Sequence, residues 1–222
     1  MLKYVLMTLL SLFLWQPQPV LANDQISEIL QGVRKNYGHL PGLTVTYKRE
    51  ILTKSMAMLG ETTKADLATG RFYFKPPYFL KVQQETPKVE TVISDGETLW
   101  WYVPHKKQVF RYPSNKLGKE LRLLSDIFHG LRKVEESFDV TLTSDDPKKG
   151  YHLKLTPNPP WQEVQYINLL VVRGSYAIRM VENYNYLGGV TRFILGDISV
   201  QEKFEEDFFR FVPPEGVKVI EE

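Results

Sequence analysis

Hydrophobic positions along the chain change their spacing several times, and each change marks a different kind of element. Behind Lys3 an apolar run extends from Val5 to Trp15, is broken by Gln16-Pro17-Gln18-Pro19, and gives way to Val20-Leu21-Ala22. Ile26, Ile29, Leu30, Val33 and Tyr37 then recur at three- and four-residue steps, with Asp24 in place as an N-cap and Gly38 as a C-cap. That spacing predicts one amphipathic helix. From Leu43 onward the period falls to two, in Val45 and Tyr47, Phe72 and Phe74, then Leu80 and Val82, with Pro, Gly and Asp clusters between the runs. Alternation bounded by turn residues predicts antiparallel strands. Leu80, Val82, Phe72 and Phe74 should share the concave face of the sheet, and Lys81 should face water.

Turn chemistry favours hairpins. Asp95-Gly96 lies between two apolar runs and predicts a type I′ turn, because both residues tolerate positive φ, and Gly188-Gly189 and Gly196-Asp197 repeat the signal. One interruption spans 114–137, where Leu117, Leu121, Leu124, Phe128 and Leu131 form a helical stripe that Gly130 is placed to split. Strands resume at Phe138 to Thr143, Tyr151 to Thr156, Tyr166 to Val172, Ala177 to Tyr184 and Val190 to Val200. The prediction is a mainly β (α+β) fold of about ten or eleven strands. A single long sheet buries only one face and must curl, which places the helical segments on the concave side. The space between helices and sheet is either a filled core or an apolar cavity.

The first residues read as an export signal. A positive Lys3, an apolar stretch too short to span a bilayer and a small-residue site at Ala22 predict a signal peptide at 1–22 and one domain at 23–222. The chain has no cysteine, which excludes a disulfide framework and a lipid-bearing N-terminal cysteine. A net charge of +2 is too small to imply nucleic acid as a partner. Chemistry finds no foothold either. His39, His105, His129 and His152 are scattered at no metal-ligand spacing, and no nucleophile elbow or phosphate-cradling glycine loop occurs. No enzyme activity, metal or cofactor is expected. The aromatic residues stand out instead, above all the Trp100-Trp101 pair, of which a strand turns one member inward and one outward.

Gly70-Arg71-Phe72-Tyr73-Phe74-Lys75-Pro76-Pro77-Tyr78-Phe79-Leu80-Lys81-Val82, the Ser94-Asp95-Gly96 turn followed by Leu99-Trp100, and the closing Phe209-Arg210-Phe211-Val212-Pro213-Pro214-Glu215-Gly216-Val217 form an ordered series. Together they resemble the LolA family of periplasmic lipoprotein carriers. The resemblance implies an unclosed antiparallel β-barrel with a helical lid over an apolar cavity. That cavity would hold acyl chains of lipoproteins released by an inner-membrane ATP-driven transporter and surrender them to an outer-membrane acceptor, the carrier itself being a monomer. Mapped onto this sequence, the cavity wall is expected at Phe72, Phe74, Leu80, Val82, Trp100, Leu121, Leu124 and Phe128. Two departures matter. The family's arginine before the proline, which latches the lid, is replaced by Pro76, leaving Lys75 as the candidate latch, and Val82 stands where an aromatic residue is frequent. A lipid- or lipoprotein-sensing regulatory domain is the alternative within the same fold. A glycan-binding face of aromatics is the alternative outside it.

Overall fold

A computed structural model describes residues 20–59, 66–113, 125–131 and 133–221. Helix α1 runs from Val20 to Tyr37 and is followed by β1 (Leu43–Leu52), a short helix α2 (Lys54–Leu59), β2 (Asp66–Lys75), β3 (Phe79–Thr86), β4 (Glu90–Ser94), β5 (Thr98–Val103) and β6 (Gln108–Pro113). A helical turn at 125–128 (α3) and α4 (Val134–Ser137) lead into β7 (Phe138–Asp146), β8 (Gly150–Pro157), β9 (Tyr166–Val171), β10 (Ile178–Tyr184), β11 (Val190–Val200) and β12 (Lys218–Glu221). The twelve strands form one sheet in the order β12-β6-β5-β4-β3-β2-β1-β11-β10-β9-β8-β7. The strands therefore follow one another outward from β1 to β6 on one side and back from β7 at the far edge until β11 pairs with β1, with β12 added beyond β6. Neighbours are antiparallel except β12, which lies parallel to β6.

One irregularity of the sheet lies at β1. Its register against β11 slips between Val45 and Tyr47, and a glycine lies close by on each side. A Cβ on Gly70 would stand 2.1 Å from the Gln83 carbonyl oxygen, and one on Gly196 2.2 Å from Thr46 Oγ1. Glycine at both points lets adjacent backbones close in where the sheet bends.

Helical elements fill one half of the concave face. Ile29, Leu30, Val33 and Tyr37 of α1 join Leu153, Leu155, Ile167, Leu169 and Val171 in a core where all are at most 2% exposed. The Ile178 amide donates to the Tyr37 hydroxyl at 2.8 Å inside it. Next to α1 the chain reverses at Gly130 (φ 77°) and Leu131 (φ 52°). A Cβ at Gly130 would lie 3.1 Å from Arg34 Cα, so glycine supplies both the left-handed turn and the close approach.

The convex face is also covered. Residues 204–211 run back across it as a strap, with Phe208 on Tyr73 (5.1 Å between ring centroids), Phe209 on Phe79 (5.5 Å) and Phe211 against Trp100 and Tyr102 (5.6 and 5.5 Å). Lys81 does point away from Leu80, but not into water. Its ammonium lies 4.2 Å from the Phe208 ring centroid, and burial pulls its pKa down. Further along the same face Arg192 joins Glu182 (2.7 Å) to Glu50 (2.9 Å), which Lys48 also meets at 2.9 Å. Both carboxylate side chains are only 8% exposed.

Several sequence expectations are corrected here. Asp24 lies inside α1 rather than capping it, because the helix already begins at Val20. In the β4–β5 turn only Gly96 has positive φ (94°), and Asp95 instead accepts hydrogen bonds from the amides of Glu97 and Thr98, which rules out type I′. Gly196-Asp197 is not a turn but part of β11. Among the described residues the strands number twelve, because the short β12 pairs with β6 through backbone bonds that leave no alternation to read.

Candidate functional site: the open half of the concave face

Register decides which side chains face inward. Phe72 is opposite Val82, Val82 opposite Val92, Val92 opposite Trp101, and Trp101 opposite Phe110, which extends one row across β2 to β6. Cross-strand partners share a face, so the whole row points to the concave side. A neighbouring row runs Phe74, Leu80, Ser94, Leu99 and Tyr112.

The two rows are filled to different extents along their length. Phe72, Phe74 and Leu80 are 0, 1 and 3% exposed, sealed by Phe128, whose ring centroid lies 5.6 Å from that of Phe72 and 6.0 Å from that of Phe74. Beyond them Val82, Val92, Trp101, Phe110 and Tyr112 are all partly exposed. Such large apolar side chains pointing to the inside of a curled sheet, yet incompletely covered, form an apolar floor. Trp101 stacks on Phe110 at 5.1 Å, and its indole N–H donates to Glu90 Oε2 at 3.1 Å. That bond satisfies the one polar group of the indole and leaves its ring for apolar contact.

The expected cavity residues divide accordingly. Val82 belongs to the floor. Phe72, Phe74, Leu80 and Phe128 are corrected to closed core, each at most 3% exposed and with Phe128 of α3 packed on Phe72 and Phe74. Trp100 is corrected to the opposite face, where it packs on Phe211 and carries the Arg111 guanidinium 5.3 Å from its ring centroid. Lys75 shares that convex side, with its ammonium 5.5 Å from the Phe79 centroid, so it does not reach the interior as a latch. Leu121 and Leu124 lie outside the described residues, as does most of the expected helical stripe. Val92, Trp101, Phe110 and Tyr112 are the additions. Their signal was present in the alternation of β4, β5 and β6, but their facing depended on hairpin register.

The curled, unclosed sheet and its apolar floor have counterparts among known proteins. Residues 57–212 match the family model described as outer membrane lipoprotein carrier protein LolA. The chain belongs to the LolA family. An outer-membrane lipoprotein carrier protein of Halorhodospira halophila is 32% identical over 156 residues, covering 69% of this chain and 70% of that protein. One of the same name from Neisseria gonorrhoeae is 26% identical over 160 residues, covering 71% and 73%. In solved structures, an uncharacterised conserved protein from Thermus thermophilus shares the fold at a TM-score of 0.56 and 14% identity, over 89% of this chain and 99% of that one. The LolA match takes in every strand from β2 to β11 and the whole strap, and thus β3–β6 of the open half.

Proposed function

We propose that this LolA-family chain is a periplasmic carrier. It holds the acyl chains of lipoproteins freed by an ATP-driven inner-membrane transporter and passes them to an outer-membrane acceptor. The observation that carries this reading is the asymmetry of the concave face, filled solidly between α1 and β7–β10 but left as a partly exposed apolar floor over β3–β6. A floor of that kind has a physical use for acyl cargo. Each CH₂ moved out of water is worth about 0.8 kcal/mol, so lipid-bearing protein does not cross an aqueous compartment unaided. Partial exposure also suits release, since the bound chain must leave again. The role is transport rather than catalysis, in keeping with carriers of the same family.

The reading is tested by incubating inner-membrane vesicles, loaded with a labelled triacylated lipoprotein and supplied with ATP and the transporter, with the mature chain. Lipoprotein should move into the soluble fraction with the chain and on to outer-membrane vesicles bearing the acceptor. Binding of lipoprotein without onward transfer would instead fit a sensing domain, and no binding would defeat the carrier reading.

A further inference from the structure

Among the described residues, Arg49 on the concave face lacks a counterpart. Arg49 of β1 is paired in register with Ala68 on one side and Phe193 on the other, and it belongs to the same face as Tyr47, which packs on Phe72 at 4.5 Å. Its side chain is partly buried, and its Nε is fully buried without a hydrogen-bond partner. Among the described residues no carboxylate lies within ion-pair distance of it, whereas Lys48, Arg34, Arg111, Arg173, Arg179 and Arg192 all have one. A buried guanidinium donor with no acceptor is costly, and native proteins keep such groups where something else completes them.

The surroundings indicate what completes it. Ala68, its partner in register on β2, is small and fully buried, so no bulky side chain competes with Arg49 on that flank. Tyr47, Gly70, Gln84 and Glu90 form the adjacent row, and the missing side chain at Gly70 makes room for the Tyr47 hydroxyl, which lies 2.9 Å from where a Cβ would stand. Burial pushes the Tyr47 pKa up to about 12, so its hydroxyl keeps the proton and remains a donor. Glu90, the acid in that row, already has one oxygen engaged by Trp101. The apolar floor begins one row beyond. The first residue of the floor, Val82, lies four residues along the strands from Arg49, about 13 Å, and two strands across, about 10 Å, a separation that a single acyl chain bridges.

We propose that Arg49, assisted by the Tyr47 hydroxyl, is the head-group anchor of the site and binds the acceptor oxygen at the head of an acyl chain, carboxylate or ester carbonyl, while the chain lies on the Val82–Phe110 floor. This rests on the carrier reading and adds a polar specificity element to it. A guanidinium supplies directed donors that match carboxylate and carbonyl oxygens, which an apolar wall cannot.

The test compares the mature wild-type chain with Arg49→Met, which preserves bulk, and Arg49→Lys, which preserves charge. Three probes are used: palmitate, dipalmitoylglycerol, and the dihexadecyl ether analogue, which has two chains of the same length but no carbonyl. Arg49→Met should weaken palmitate, the diester, or both by about tenfold, a loss typical of one charge-assisted hydrogen bond. Whichever of the two is affected identifies the head as carboxylate or ester. Binding of the ether should stay within twofold, and Arg49→Lys should recover part of the loss. Equal loss for all three probes would make Arg49 a packing residue, and no loss for any would leave it unconnected to cargo; either overturns the proposal. Failure of the wild-type chain to bind any probe would instead remove the carrier reading on which the proposal rests.

Discussion

Replacing Arg192 with methionine should cost about 3–5 kcal/mol of folding stability, the usual consequence of stripping the shared partner from buried charges. Arg192 bridges Glu182 and Glu50, both 8% exposed, and the Tyr184 hydroxyl, 3.2 Å from Glu182, cannot neutralise a carboxylate. The pH dependence gives the mechanism away. In the wild-type chain the hydrogen bond from Lys48, with a further contribution from Arg192, holds the Glu50 carboxyl below its ordinary pKa. A depressed carboxylate stabilises the fold above the unfolded-state value of about 4, and that contribution is lost as pH falls through the lower folded value. The wild type should therefore lose stability on acidification in that range. Arg192→Met should first gain stability as pH drops from 7 toward 5, because protonation removes an unpaired buried charge. Urea midpoints measured across that range check it, and parallel slopes for the two proteins would show that the network carries little of the stability.

The second large effect concerns cargo. Phe110→Asp should lower affinity for an acyl probe by about a hundredfold, near 3 kcal/mol, because a bound chain would have to strip water from the new carboxylate. Folding should suffer much less, by about 1–2 kcal/mol, since Phe110 is only partly buried and loses chiefly its stacking on Trp101. Leu80→Asp is the contrasting control. Leu80 is 3% exposed in the closed core, and a charge there should unfold the chain outright. Thermal unfolding alongside probe titration separates the cases. If Phe110→Asp stays folded and binds normally, the floor is ordinary surface.

Much of this arrangement was legible in the sequence, and the exceptions share a cause. Period-two alternation placed Phe72, Phe74, Leu80 and Val82 on one face, and the pairs Phe72–Val82 and Phe74–Leu80 confirm that facing. It did not say which of these would be sealed, because that depends on where α1 and α3 settle, a tertiary choice of one half of the sheet over the other. Alternation was equally mute on Trp100 against Trp101. Both are tryptophan, so only the hairpin register, with Ile93 opposite Trp100 and Ser94 opposite Leu99, decides which one turns inward. The closing phenylalanines were legible as a family signature but not as a strap over the convex face, since they form no strand and show no period. Glu50 and Arg192 lie 142 residues apart in the chain, and their meeting follows from the β1–β11 pairing, which no local pattern announces.

The inward and outward tryptophans offer the most direct measurement of the central claim, that acyl chains lie on the concave floor of β3–β6. Two forms of the mature chain would each keep a single tryptophan, Trp101 or Trp100, with phenylalanine at the other position and at Trp161, and would be titrated with a fatty acid brominated midway along its chain. Bromine quenches indole fluorescence only at contact distance. Saturable quenching of Trp101 with little change at Trp100, which is shielded beneath Phe211, is the expected result. Quenching of Trp100 instead, or of neither while the probe binds, would place the chain elsewhere and contradict the account.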